Sequence, residues 1–459
     1  MGERRSPLRR DAMCRPVPGD PRSPRRRLAS IPCMGERRSP LRRDAMCRPV
    51  RAIRDRPGAD WHAPAWNRSP KGTYDSAFRN RSKPMPRFLH TADWQIGRRY
   101  SAFEAEDAAA LFEARFAAIR RIAELAASER VDAVLVAGDV FDSQFIAHRD
   151  LHRTFQAMQA FAGPWLMIPG NHDAALAESV WERAARIGAV PANVHIFTKI
   201  GVYLFEKNGF AVLASPLTQR HTHDDLTDWF DRSDTPAGLL RIGLAHGSVT
   251  DVLMEAADSA NPIAANRAQT ARLDYLALGD WHGTKCIDSR TWYSGTPEQE
   301  RFKDNDPGNV LLVDIASPGA EPEVSVHRVG VHRWIRLERT LSVSSDLDRL
   351  LQELGGLDEN AVIDLDVSGQ LDLADQQRLQ HAVDQLAARH RSFTFNDDDL
   401  HLEPSDEDIV GLGADGYVGE VIATLREQQK EDSDEAAIAR DALAILTTLL
   451  REHGREASR

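Results

Sequence analysis

The chain has 459 residues, 42% of them apolar, enough for one large globular domain and a smaller one. No run approaches the roughly 18 uninterrupted apolar residues of a membrane helix, and no apolar stretch follows the N-terminal arginine pairs as a secretory signal requires. Cys14, Cys33 and Cys47 crowd the N-terminus and Cys286 stands alone after them, which excludes a disulfide framework and makes the cytoplasm the expected compartment.

Charge is unevenly divided. Residues 1–84 carry 22 Lys/Arg and 8 Asp/Glu, a net of +14, whereas the remainder carries −25 of the overall −11. An acidic body does not attract nucleic acid in general, so any contact with DNA needs bound metals, local arginines or a partner. Within the basic part, residues 1–17 (MGERRSPLRRDAMCRPV) recur letter for letter as residues 34–50. A folded repeat of this length shows an apolar face to its neighbour, and this one is Arg, Pro and small polar residues. Two kinds of reading fit: a basic arm on nucleic acid, or else a disordered extension or an artefact of an upstream start codon read through duplicated DNA. The composition favours the second, because it cannot offset the entropy of ordering. The fold signal begins at Met85, in MPRFLHTADWQIGR.

From there the elements alternate. Phe88–Ala92 is a short apolar strand ending at Asp93, and residues 104–127 place Phe112, Phe116, Ile119, Ile122 and Leu125/Ala126 on one helical face. The near-continuous strand VDAVLVAGD ends at Asp139, a helical segment follows at 147–161, and strand WLMIP runs into Gly170-Asn171-His172-Asp173. Further strands are predicted at Val194–Phe197, Phe210–Leu217, Arg241–Ala245 and Tyr275–Leu278, the last two ending at His246-Gly247 and Gly279-Asp280-Trp281-His282. Such alternation argues for an α/β sheet. After about residue 330 a helix at 345–354 precedes a small β-α-β unit, with Ile363, Leu365 and Val367 on one side of its first strand. Its helix carries Leu379, Val383 and Leu386, and its second strand spans Phe393–Phe395. Helical segments at 418–429, with Val421, Ile422 and Leu425, and at 434–452, with Ile438, Leu446, Leu449 and Leu450, close the chain.

The pattern that points to function is that five apolar strands deliver carboxylate, amide and imidazole groups just past their C-terminal ends, where α/β sheets bind ligands. Two divalent ions clamping a phosphoryl displacement need a bridging carboxylate, further carboxylate and imidazole ligands and a neutral oxygen donor. Asp93-Trp-Gln95, Gly138-Asp139, Gly170-Asn171-His172-Asp173, His246-Gly247 and Gly279-Asp280-Trp-His282 supply that set.

In their order and spacing these motifs resemble the calcineurin-like metallophosphoesterase superfamily, whose signature is D-x-H, G-D, G-N-H-[DE], H and G-H-x-H. The opening LHTADWQIGR, with YSGTPE (Tyr293–Glu298) before NVLLVDI, is similar to the SbcD-type DNA repair exonucleases. The resemblance implies a four-layer α/β/β/α sandwich over 85–330, a small α/β capping domain over 331–405 and a helical C-terminal tail over 406–459. It implies that Asp139 bridges two metals, that Asp93, Gln95 and His282 hold the first, and that Asn171, His246 and Asp280 hold the second. His172 would protonate the leaving oxygen, oriented by Asp173, and Arg98 would contact substrate phosphate. Gln95 and Asp280 stand where the family has His. Exchanging two nitrogens for oxygens favours Mn²⁺ or Mg²⁺ over Zn²⁺, with Mn²⁺ the expected ion. The implied activity is DNA phosphodiester hydrolysis, and the implied partners are DNA and an SMC-like ATPase of the SbcC type, with a homodimer left open. The alternatives are a nucleotide or phosphoprotein phosphoesterase and a non-catalytic DNA- or partner-binding subunit. Outside the site, His90 reads as a buried strand residue, and Trp94 and Trp281 read as packing residues.

Overall fold

The computed structural model describes residues 86–250, 252, 261–403, 408, 416–430 and 434–457, all within one compact unit. The duplicated N-terminal segment and Met85 lie outside the described residues.

In chain order the first part comprises β1 (Arg87–Thr91), α1 (Ala105–Ser128), β2 (Ala133–Ala137), α2 (His148–Ala157), β3 (Trp165–Ile168), α3 (Val180–Arg186), β4 (Val194–Ile196), β5 (Gly201–Phe205), β6 (Phe210–Ser215), β7 (Leu240–His246), β8 (Ser248–Val249), β9 (Pro262–Ile263), α4 (Arg267–Thr270), β10 (Tyr275–Gly279), β11 (Lys285–Asp288), β12 (Thr291–Tyr293), β13 (Asn309–Asp314) and β14 (Glu323–Arg328). They form two six-stranded sheets, β14-β13-β1-β2-β3-β4 and β11-β12-β10-β7-β6-β5. The centre of each is parallel, β1-β2-β3-β4 in one and β6-β7-β10-β12 in the other, with antiparallel strands at the flanks.

Four layers follow from the side chains. Phe88, Leu135, Leu166 and Ile168 of the first sheet meet Val212, Leu244, Tyr275 and Ala277 of the second in a buried core between the sheets. The other face of the first sheet, through Leu89, Val134, Val136 and Met167, packs on Phe116, Ile119, Ile122 and Ala126 of α1 and on residues of α2 and α3. The outer face of the second sheet, through Leu213, Leu276 and Leu278, is covered by Phe230, Ala268 and Ala271. Because the central strands are buried on both faces, they read as unbroken apolar runs rather than as alternation. His90 is fully buried in that core; its Nδ1 lies 3.0 Å from the Tyr275 hydroxyl and its Nε2 3.2 Å from the Leu278 carbonyl.

A third sheet follows, built from β15 (Arg333–Leu341), α5 (Ser344–Gly355), β16 (Ala361–Leu371), α6 (Leu373–Arg389), β17 (Ser392–Asn396) and β18 (Leu400–Leu402). Strands β15, β17 and β18 all pair with β16 in parallel. The expected β-α-β unit is therefore two strands short: β15 precedes it, with α5 the crossover from β15 to β16, and β18 follows it. Ile363, Leu365 and Val367 face α5 and α6, whereas Val362 turns toward Tyr100, Leu111 and Trp334 and packs on the first part of the chain.

Helices α7 (Tyr417–Gln428) and α8 (Asp434–Ala457) end the described chain. Ile422 and Leu443 are fully buried and pack with Leu425, Leu446 and Leu450. Two members of the expected stripe, Ile438 and Leu449, instead point outward at 67% and 57% exposure. The rotation of α8 puts Leu443 at the contact, well around the helix from the face those two residues occupy.

Candidate metal centre

The loops after β1 and β2 are knitted together: Asp93 N donates to Gly138 O and Gln95 N to Asp139 O, both at 3.0 Å. Asp93, Gln95, Asp139, Asp280 and His282 all have positive φ, between 50° and 109°, and make up half of the ten such non-glycine residues among those described. Side chains rarely adopt this backbone, and its concentration at one edge marks a site where strain is kept for a purpose. Two glycines permit the approach. Gly138, at φ +90°, would place a Cβ 2.3 Å from the His246 Nδ1, and a Cβ on Gly170 would lie 2.2 Å from an Asp139 oxygen.

These turns gather the expected ligands. Ligand atoms of Asp93, Asp139 and His246 lie within 4.8 Å of one another, all three residues buried. His246 Nε2 is 3.7 Å from Asp139 Oδ1 and 3.8 Å from Asp280 Oδ1. Asp280 N donates to both Asp93 oxygens at 3.1 and 3.2 Å, and Asp280 Oδ2 accepts from the Ser248 hydroxyl at 2.7 Å. Gln95 Nε2 donates to Asp139 Oδ2 at 2.7 Å, and His172 N donates to Asp139 Oδ1 at 2.9 Å.

Whether a cation fits is decided by the atoms left over. Gln95 Oε1, Asn171 Oδ1 and His246 Nε2 are buried with no hydrogen-bond partner in the protein. His246 Nδ1 lies 2.8 Å from the Ala137 carbonyl, so it carries the proton in the neutral ring and Nε2 presents a lone pair. Two unpaired amide oxygens and an unpaired ring nitrogen among buried carboxylates are costly unless a cation completes them; a metal ion would take the place of the proton that the carboxylates otherwise draw onto Nε2. The electrostatics agree. Burial alone would lower the His246 imidazole, yet Asp139, Asp93 and Asp280 outweigh it and raise it to about 9. Burial pushes Asp93 up to about 6. The pocket holds more negative charge than it can stabilise, which suits divalent ions with mixed oxygen and nitrogen ligands.

Two sequence expectations change here. Asp173 does not orient the His172 ring. Its fully buried carboxylate accepts from Gly170 N at 2.7 Å and Phe141 N at 3.1 Å, fixing the two loops, and burial with the adjacent Asp139 charge pushes it up to about 8. The His172 ring is held instead by the Asp142 carbonyl, 2.9 Å from Nδ1, leaving Nε2 4.0 Å from Asp139 Oδ2. Arg98 lies at the rim, but paired: Nε is 3.2 Å from Glu300 and Nη1 3.6 Å from Asp142. Trp94 is buried against Trp165, as expected. Trp281 packs against the outer face of the second sheet while Lys303 Nζ sits 4.1 Å from its ring centroid.

Sequence reading missed Glu300. Its buried carboxylate lies 2.5 Å from His282 Nδ1 and 3.0 Å from Arg115. Burial would raise Glu300, but the His282 hydrogen bond and the Arg115 and Arg98 charges hold it well below the usual carboxylate range. His282 is raised in turn: burial would lower it, and Asp93 and Glu300 overcome this. The only signal was position, two residues beyond the YSGTPE turn.

Residues 86–313 match the family described as calcineurin-like phosphoesterase. The chain is 24% identical over 309 residues to the DNA double-strand break repair protein Mre11 of Methanosarcina acetivorans, an alignment of 62% of this chain and 46% of that protein, so it spans about half of that relative's length. It is 26% identical over 356 residues to the SbcD component of the SbcCD nuclease of Bacillus subtilis, covering 69% and 85% of the two chains. Among solved structures it is similar to TT1561 of Thermus thermophilus, with a TM-score of 0.34, 14% identity and coverage of 53% and 99%. With its motifs in order at the C-terminal ends of strands from both sheets and the match running from β1 to β13, the chain belongs to the calcineurin-like phosphoesterase family.

Proposed function

We propose that this chain hydrolyses DNA phosphodiester bonds with two Mn²⁺ ions, Mg²⁺ being the alternative, as a repair nuclease. The observation that carries the reading is the convergence of buried Asp93, Asp139 and His246 with the unpartnered oxygens of Gln95 and Asn171. Asp139 would be shared by the two ions; Asp93, Gln95 and His282 would complete the first set, and Asn171, His246 and Asp280 the second. A bound ion pair supplies Lewis acidity toward the phosphoryl oxygens and lowers the pKa of the attacking water.

The chain's own groups do the rest. His172, its Nδ1 fixed by the Asp142 carbonyl, keeps Nε2 free to pass a proton to the leaving oxygen. Asp173 holds the loop that aims it. Arg98 spends Nε and Nη1 on Glu300 and Asp142 and keeps Nη2 for a phosphate oxygen. DNA as substrate is supported by the names of both relatives, a double-strand break repair protein and a nuclease component. The second name also supports an SbcC-type ATPase as partner, and a homodimer remains part of the reading. We assign 85–330 to catalysis, 331–405 to a cap and 406–459 to a helical tail, in a cytoplasmic protein. No helix among the described residues is long and apolar enough to cross a membrane.

The test is a Mn²⁺-dependent assay on single- and double-stranded DNA beside bis(p-nitrophenyl) phosphate, with Asp139→Ala and His172→Ala controls. Cleavage of DNA by the parent and its loss in Asp139→Ala is the expected result. Cleavage of the small diester without DNA would move the activity to nucleotides or phosphoproteins. No cleavage with one ion bound at saturating Mn²⁺ would leave a binding subunit.

A further inference from the structure

Glu298, Gln299 and Glu300 are three consecutive polar side chains, all buried, on the strap that leaves β12. Such a run is costly unless every group is satisfied, and here the partners lie in two different places. Glu298 accepts from His332 N at 2.8 Å and Val331 N at 3.1 Å and pairs with Arg121 at 3.2 Å. Gln299 clasps the Trp334 backbone from both sides, Oε1 accepting from Trp334 N at 3.0 Å and Nε2 donating to Trp334 O at 3.3 Å. Both therefore grip the segment that opens β15 and the third sheet. Glu300 points the other way, to His282 at 2.5 Å.

A second route joins the same two places. The Trp334 ring packs on Tyr100 with centroids 6.0 Å apart, and the Tyr100 hydroxyl accepts from Arg115 Nε at 2.8 Å. Arg115, buried in α1, donates Nη1 to Trp94 O at 2.7 Å and pairs Nη2 with Glu300 at 3.0 Å. Trp94 is the middle residue of Asp93-Trp94-Gln95. Trp334 thus reaches the Asp93 turn and the His282 ring by two buried routes that meet at Glu300, one through Gln299 and the chain itself, the other through the Tyr100 ring contact and the Arg115 hydrogen bonds.

We propose that Glu300 is the positioning residue of the first ion's ligands and that the seating of β15 on Gln299 and Tyr100 sets how well those ligands are held. The proposal rests on the metal-centre reading above. Its effect is confined to one ion, because Glu300 touches His282, and Arg115 the Asp93 turn, whereas His246 of the other set is held by the Ala137 carbonyl. Second-layer partners of metal-ligating histidines fix ring orientation, and their loss costs about 10- to 100-fold in metal affinity.

The test is isothermal titration of Mn²⁺ into the full chain, with the circular dichroism and melting temperature of the metal-free protein recorded in parallel. Glu300→Gln is expected to weaken one of two binding steps about 10- to 100-fold. Gln299→Ala, which touches no ligand, is expected to weaken the same step by less. Arg339→Ala, on the same strand as Trp334, removes the exposed pairing with Glu353 of α5 and a bond to the Glu338 carbonyl, and is expected to bind as the parent does. If Glu300→Gln fails to fold, Gln299→Ala decides. Both variants melting lower while binding both ions like the parent would overturn the proposal, leaving the strap a purely structural joint. A parent that binds no Mn²⁺ would instead remove the metal reading itself, and the two failures are told apart by the parent's own titration.

Discussion

At the scale of single residues, the site separates groups that would face bound cations from groups that hold those side chains in place. His172 faces the Asp139 side with Nε2 and is anchored through Nδ1 to a backbone carbonyl. If it donates the proton, His172→Ala lowers kcat on DNA by about 10²- to 10⁴-fold. It lowers kcat far less on bis(p-nitrophenyl) phosphate, whose leaving group needs no proton; equal losses in steady-state assays would contradict the role. Asp173, as a loop holder, behaves differently: Asp173→Asn leaves one buried amide without its acceptor, and a loss of about 1–3 kcal/mol in denaturant unfolding is expected. The facing residues were legible in the sequence because each stands at the end of an apolar run, where α/β sheets present ligands. The holding groups were not: Asp142 acts through its carbonyl, which no side chain announces, and Glu300 sits in a loop without periodicity. His172 and Asp173 are adjacent in sequence, which suggested a dyad, but the turn sends their side chains to different partners.

Elements obey the same logic of burial. β1, β2, β3, β7 and β10 were legible because both of their faces are covered. β15, RWIRLERTL, was not, because its charged residues break the apolar run and only Trp334, Leu337 and Leu341 are buried. Helix α8 was legible as a helix but not in its rotation, since Ile438, Leu443 and Leu449 are all apolar and only packing on α7 selects Leu443. Leu443→Ala is therefore expected to destabilise by about 2–5 kcal/mol, and Ile438→Ala to stay within about 0.5 kcal/mol of the parent, in chemical unfolding. Beside the second sheet, buried Arg267 ties Asp225 and Asp228 at 2.8 and 2.9 Å. Burial would raise Asp225, but hydrogen bonds from Thr227, Arg267 and Ala264 hold it below the usual range. A carboxyl lowered on folding stabilises above its unfolded pKa of about 3.9 and loses that contribution as pH falls through its folded value. Asp225→Asn should flatten the acid limb of stability below about pH 4; an unchanged limb in melts across pH would remove this account.

Across the whole molecule, the acidic body and a site of buried carboxylates set a condition on the DNA binding proposed above. Outside residues 1–84 the chain carries a formal −25, so a DNA phosphate reaches the sheet edge only when cations occupy it. The inactive His172→Ala variant is expected to bind DNA with Mn²⁺ and to release it on chelation; binding indifferent to chelation would place the DNA surface elsewhere. The most direct test of the metal centre is Mn²⁺ stoichiometry measured together with DNA cleavage for the parent and Asp139→Ala. The parent is expected to bind two ions per chain and cut DNA, and the variant, lacking the shared carboxylate, to lose both. A variant that holds two ions and cuts DNA at the parent's rate would contradict the account.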